Sequence, residues 1–314
     1  MPPIVLTVDE LGALDRIIGL ALPRFVTEDD EADLRVDAAA IRGLAARGLV
    51  TIDESDAADP ITLSPALARL LAPCRDATAV AELVLETGGV TARHALFAAG
   101  GAPTTHYREQ PAGLVLVDVT TRPFADEVRE LCRLDELARD GSGSFGVTAD
   151  AHAPAKVIAG DSGRSLAFGV TAGAHAPAKV MAGDSGGGLA FGVTADAHIR
   201  ADDRLGAGDP AGAVATLVAA GAPAEAARGW ADAVSGRRIA VTLTVAGRHR
   251  AAELRWLVAA DGTPWRIAAG LTAAVPLGQG GDWADEELAV HSEVSQVDGD
   301  TIRSTVDDLI GAVT

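Results

Sequence analysis

The sequence predicts an α+β protein made of two pseudo-duplicated subdomains, each an antiparallel sheet with helices, and a central insertion of repeated hairpins between them. Three observations predict it. In each half, apolar residues recur at the helical spacing of three and four, then at every second residue through about four strands, then at the helical spacing again. The closing helices share one spacing: Phe124, Val128, Leu131 and Cys132 in the first half, Ile302, Val306, Leu309 and Ile310 in the second. Between the halves a 23-residue unit is repeated in tandem. The boundaries that follow are an N-terminal α+β subdomain over 1–140, the tandem hairpin repeat over 141–200, and a C-terminal α+β subdomain over 201–314.

The elements follow in order. "LGALDRIIGLALP" from Leu11 and "IRGLAARGLV" from Ile41 read as helices, and a third helix has Ser64 as N-cap and Pro65 at its first position, where a missing N–H costs nothing. Val80 to Leu85 and Val90 to Phe97 form a hairpin around Gly88-Gly89, followed by strands at Thr104 to Arg108 and Leu114 to Val119. The tandem units, "FGVTADAHAPAKVIAGDSGRSLA" from Phe145 and "FGVTAGAHAPAKVMAGDSGGGLA" from Phe168, agree at 19 of 23 positions, and a partial third copy, "FGVTADAH", starts at Phe191. Each unit sets two strand-like runs across a Gly-Asp-Ser-Gly turn, so hairpins are expected. In the second half Val214, Leu217 and Val218 make one helical stripe ending at Gly221, and Pro223 opens a helix whose face is Ala227, Trp230 and Val234. The period then becomes two: Ile239, Val241, Leu243 and Val245, then Leu254, Trp256 and Val258, then a hairpin at Asp261-Gly262 and a strand from Trp265.

Composition removes several functions. A hydrophobic fraction of 48% with 22% charged residues suits a folded domain. A net charge of −18 opposes nucleic acid and anionic membrane surfaces, both of which need Lys and Arg to displace counterions. Asp9 and Glu10, with no basic flank, are wrong for a secretory signal, and a cytoplasmic location is expected. Cys74 and Cys132 lie in apolar helical patterns without metal-ligand spacing, so both are read as reduced core residues. No metal and no cofactor is expected.

Four spellings suggest chemistry or another fold and are read against it. Leu34 to Leu71 resembles the helix, wing and helix of a winged-helix regulator, but Asp53, Glu54, Asp56 and Asp59 fill the wing where a DNA binder needs cations. Gly183-Asp184-Ser185-Gly186-Gly187 spells the nucleophile turn of chymotrypsin-like serine proteases, and His94 and Asp118 precede it in triad order. However, Gly188 stands where that family has Pro, the N-terminus looks helical, and the duplication offers Ser162 as an equal candidate. His152, His175 and His198 recur at the repeat period near strand ends, with Asp150 and Asp196 beside the outer two, a pattern that duplication of one surface His explains without a metal. Gly141-x-Gly143-x-x-Gly146 follows a helix and precedes a strand, the reverse of a dinucleotide cradle.

The segments "AVATLVAAGAPAEAARGWADAVSGRRIAVTLTV" and "ELRWLVAADGTPWRI", with the N-terminal order of helix, "RGL" helix end, capped helix and first strand, resemble the EspG family. The resemblance implies a non-enzymatic cytosolic chaperone that holds PE-PPE substrates, or other helical secretion substrates, for type VII (ESX) export in actinobacteria. It also implies the two-subdomain α+β architecture. No catalytic residue is expected; Leu217, Trp230, Leu254 and Trp256 are the candidate partner-binding residues, because buried aromatic and aliphatic anchors dominate interface energetics.

Overall fold

In the computed structural model, residues 2–27, 34–53, 61–100, 103–132, 188–247, 251–269 and 291–313 are described. The first half runs β1 (Ile4–Thr7), α1 (Val8–Ile18), α2 (Arg24–Thr27), α3 (Leu34–Ala46), the short ribbon β2 (Val50–Ile52) and β3 (Ile61–Leu63), and α4 (Pro65–Arg75). It continues with β4 (Ala79–Thr87), β5 (Val90–Ala98), β6 (Thr104–Gln110), β7 (Leu114–Thr120) and α5 (Phe124–Leu131). The second half repeats the plan as β8 (Ala190–Thr194), α6 (Ala195–Gly206), α7 (Pro210–Ala219), α8 (Ala224–Ser235), β9 (Ile239–Gly247), β10 (Ala251–Val258), β11 (Pro264–Ala269), β12 (His291–Gln296) and α9 (Gly299–Val313).

Local chemistry explains most boundaries. Thr7 and Glu10 cap α1 reciprocally, the Thr7 hydroxyl accepting from the Glu10 N–H at 3.0 Å and the Glu10 carboxylate from the Thr7 N–H at 2.9 Å. Ser64 Oγ accepts from the Leu67 N–H at 3.3 Å, with Pro65 at the first helical position. Replacing Ser64 with Ala is expected to lower stability by about 1 kcal/mol in a denaturant melt. Gly88 and Gly89, at φ 55° and 80°, close the β4–β5 hairpin with both central residues left-handed. At the β10–β11 turn only Gly262 has positive φ; Asp261 acts instead through its side chain, which accepts from the Thr263 N–H at 2.8 Å.

All but two of the described strands form one antiparallel sheet in the order β1-β7-β6-β5-β4-β9-β10-β11-β12-β8. The two halves therefore join edge to edge through β4 and β9, paired from Ala79↔Gly247 to Thr87↔Ile239 with Leu83 opposite Leu243. Two separate sheets meeting face to face, the packing that one-sided helix cover suggests, is not what forms. Pairing β4 with β9 satisfies the backbone groups of two edges at once, which stacking would leave open.

One face of the sheet centre carries α5 and α9. Phe124, Val128 and Cys132 from the first helix end and Ile302, Val306 and Ile310 from the last pack on Ala81, Leu83, Leu243, Val245, Leu254 and Trp256. Arg129 on α5 donates to Asp307 on α9 at 2.7 Å, linking the two helices. On the other face the halves have separate cores. Leu11, Leu14, Leu44, Leu67, Leu70 and Leu71 of α1, α3 and α4 pack on Phe97, Tyr107, Val115 and Val117. Leu217, Ala227 and Trp230 of α7 and α8 pack on Leu257, Trp265 and Val294.

Two segments fold differently from their sequence reading. Ile4–Thr7, not read as a strand, pairs with β7 as one edge of the sheet. The third, partial copy of the repeat begins with a strand and continues as a helix. Phe191 to Thr194 completes β8 at the other edge, and the Thr194 hydroxyl then caps α6 by accepting from the Ala197 N–H at 3.3 Å. His198 thus sits on a helix, not at a strand end. The two full copies lie outside the described residues.

Candidate functional site

Between the two helical layers runs a strip of sheet whose side chains join neither apolar core. On β4 and β9 the residues facing that side are Val80, Glu82, Val84 and Glu86, and Ala240, Thr242, Thr244 and Ala246, with Glu82 opposite Thr244 and Val84 opposite Thr242. Val80 joins the N-terminal core and Ala240 the C-terminal one. Glu82, Val84, Thr242 and Thr244 belong to neither and are half-buried. They alternate with Leu83, Leu85, Val241 and Leu243, which face α5 and α9, so period two decides which side chains line the strip.

Charged groups border the strip in pairs. The N–H of Arg24, at the start of α2, donates to Glu82 Oε1 at 2.8 Å, and the Arg24 guanidinium lies 3.6 Å from the same carboxylate. Arg237 reaches Glu86 at 3.3 Å, and on β10 Arg255 lies 3.4 Å from Glu253. On the C-terminal wall, Asp202 and His198 of α6 stand 3.6 Å apart. Burial lowers the pKa of His198 and raises that of Asp202 from their ordinary values. The strip is a floor of two Thr, a Val and a Glu bordered by ion pairs.

The four partner-binding candidates all lie inside the protein. Leu217 is 0% exposed, Trp230 1%, Leu254 2% and Trp256 1%. Leu217 and Trp230 hold α7 and α8 to the sheet, with the Trp230 ring 5.8 Å from Trp265 and 5.7 Å from His198. Leu254 and Trp256 face α9, on the side away from the strip. These residues shape the wall and floor from behind. The strip residues themselves were legible only as the polar half of two alternating strands, and apolar anchors drew attention away from them.

His94 and Asp118, the described members of the triad order, bond to other residues. Ser162 and Ser185 lie outside the described residues, as do His152, His175, Asp150 and the Gly141-x-Gly143-x-x-Gly146 run. His94 Nδ1 is hydrogen-bonded to His106 Nε2 at 3.0 Å, so the nitrogen a triad would offer Asp118 is occupied. Asp118 instead accepts from Arg108 at 2.9 Å and lies 3.8 Å from His106 Nδ1, with Glu127 of α5 at 3.9 Å from the same nitrogen. Burial lowers the pKa of His94 to about 4 and of His106 to about 3, so both imidazoles are neutral at pH 7. The two thiols are inert for the same reason: Cys74, 3.1 Å from the Tyr107 hydroxyl, is raised to about 11, and buried Cys132 is raised further. Among the described residues, no group of three or more His, Cys, Asp or Glu is placed to hold a metal ion, and no helix is long and apolar enough to cross a membrane.

The β2–β3 ribbon with α4 does reproduce the outline of a wing and following helix. Its apolar side belongs to the N-terminal core through Val50, Ile61 and Leu63.

A solved structure has a similar fold. It is the type VII secretion system chaperone EspG5 of Mycobacterium tuberculosis, in complex with a PE25-PPE41 dimer, superposing with a TM-score of 0.52 over 100% of this chain and 97% of that one. Sequence identity is 10%, so the likeness concerns the fold alone, α+β with a large antiparallel sheet and helices. No protein-family model matches the chain, and no curated protein matches it in sequence.

Proposed function

We propose that this protein is a non-enzymatic cytoplasmic chaperone or adaptor that holds a helical secretion partner of the PE-PPE type before type VII export. The observation carrying this reading is the half-buried strip between the two helical layers, in a fold similar to that of the EspG5 chaperone over 100% of this chain and 97% of that one. The strip residues that join neither core, Glu82, Val84, Thr242 and Thr244, form one compact patch at the centre of the seam, a size that suits the tip of a helical bundle. Thr242, Thr244 and Val84 supply contact without charge, and the ion pairs at its borders supply a polar rim. In this reading Leu217, Trp230, Leu254 and Trp256 act by fixing the shape of the surface. The acidic surface keeps nucleic acid and anionic membranes away, and the reading requires no cofactor.

Calorimetric titration with a purified PE-PPE heterodimer tests it. Thr244→Arg places a long cation on the strip beside Glu82 and Glu253, where it can be neutralised without disturbing either core. It is expected to weaken binding at least tenfold, equivalent to about 1.4 kcal/mol, while leaving the melting midpoint nearly unchanged. Unaltered affinity would remove the strip from the interface, and no binding by the unmodified protein would remove the partner class.

A further inference from the structure

Three carboxylates at the strip each have a guanidinium: Glu82 has Arg24 at 3.6 Å, Glu86 has Arg237 at 3.3 Å and Glu253 has Arg255 at 3.4 Å. Asp202 of α6 stands outside these pairs. It lies within electrostatic reach of Arg255 and Arg237, but both are committed to the Glu residues. Its near neighbour is His198, one turn earlier, whose Nε2 is 3.6 Å from Asp202 Oδ2 and so beyond good hydrogen-bond length. Among the described residues, neither His198 Nε2 nor Asp202 Oδ1 has a hydrogen-bond partner. We propose, resting on the chaperone reading above, that Asp202 is the docking point for a cationic side chain, Lys or Arg, of the helical partner, with His198 as the buried group that positions it.

Burial separates the roles of the two groups. The His198 side chain is 5% exposed and its ring meets Trp230 edge-on at 5.7 Å, so it is held from behind. The Asp202 side chain is 41% exposed and open to a ligand on its outer side. Ile199, three residues before Asp202 and therefore beside it on the helix, is 45% exposed. The aliphatic stem of a Lys or Arg thus finds apolar surface next to the carboxylate. With its pKa lowered by burial, the His198 imidazole is mostly neutral at pH 7 and does not compensate Asp202. Burial raises the Asp202 pKa, which is the cost of a carboxylate held without its own cation; a partner cation at ion-pair distance acts in the opposite direction. The net charge of −18 also steers cationic groups toward this chain.

Calorimetric titration of a purified PE-PPE heterodimer into the full chain, at low and high salt, tests this. Asp202→Asn keeps the shape of the side chain and removes its charge. It is expected to weaken binding about tenfold at low salt and to make the affinity less sensitive to salt. The melting midpoint should hold or rise, because the carboxylate removed is a desolvated one. Asp308→Asn, at an exposed position of α9 across the sheet from the strip, makes the same change in net charge and is expected to leave the affinity unaltered. If the unmodified chain and Asp202→Asn bind equally well, the docking point is overturned and the chaperone reading stands. Equal weakening by the two variants would overturn it as a general charge effect, and weakening with an unaltered salt slope would overturn it in favour of a neutral donor. A midpoint that falls together with the affinity would place Asp202 in the scaffold and overturn it as well. No binding by the unmodified chain would remove the partner class and the docking point together.

Discussion

Trp230→Ala is expected to lower stability by about 3 to 5 kcal/mol and to change partner binding only through unfolding. The ring is 1% exposed and packs between Trp265 and His198, on a helix held to the sheet by Ala227 and Leu217. Removing it leaves a cavity lined by the groups that set the angle between α6 and α8, and small Ala residues around it have no spare length to fill the space. A denaturant melt run beside a calorimetric titration decides the matter. A lost affinity with an unmoved midpoint would return Trp230 to the interface; a collapsed midpoint with unchanged affinity per folded molecule is the expected result.

Acid should destabilise the first half well before it protonates most carboxylates. His94 and His106 have pKa values near 4 and 3 in the folded protein, lowered chiefly by burial, against about 6.5 when unfolded. The unfolded chain therefore takes up protons below about pH 6.5 that the folded chain refuses, so the stabilisation is complete above that pH and is lost as pH falls toward 4. Asp118 and Glu127, just under 4 Å from His106, pull the other way, but Asp118 is committed to Arg108 and Glu127 accepts from Thr120 at 3.0 Å. A loss on the order of 5 kcal/mol between pH 7 and pH 4.5 is expected for the pair. Substituting both with Gln should flatten that slope while lowering stability at neutral pH. Parallel slopes in the two proteins would show that other groups govern the acid limb.

What the sequence made legible was whatever local periodicity controls. The helical faces of α5 and α9, the Gly88-Gly89 hairpin, the Ser64 cap and the β9–β10–β11 meander all follow from spacing within a dozen residues, and all form. The duplication of the plan was also visible, because Phe124/Val128/Cys132 and Ile302/Val306/Ile310 repeat one stripe. How the halves meet was not. β4 and β9 carry the same alternation whether they pair edge to edge or stack, and only the backbone hydrogen bonds distinguish the two. β1 escaped because four residues are too few to show a period. The strip escaped because burial cannot be read from residue type: Trp230 and Trp256 turn inward, and two Thr and a Val stay half-buried between the cores.

The β4–β9 seam has the geometry of an isologous dimer whose subunits share one chain, each edge strand meeting its own counterpart in antiparallel register about Leu83 and Leu243. In a dimer of identical subunits, every substitution at such a seam appears twice and the surface above it must be self-symmetric. Here covalent linkage has lifted that constraint. Glu82 and Val84 stand on one side of the axis and Thr242 and Thr244 on the other, so a lopsided object set on the axis has one preferred orientation where a true homodimer would offer two of equal energy.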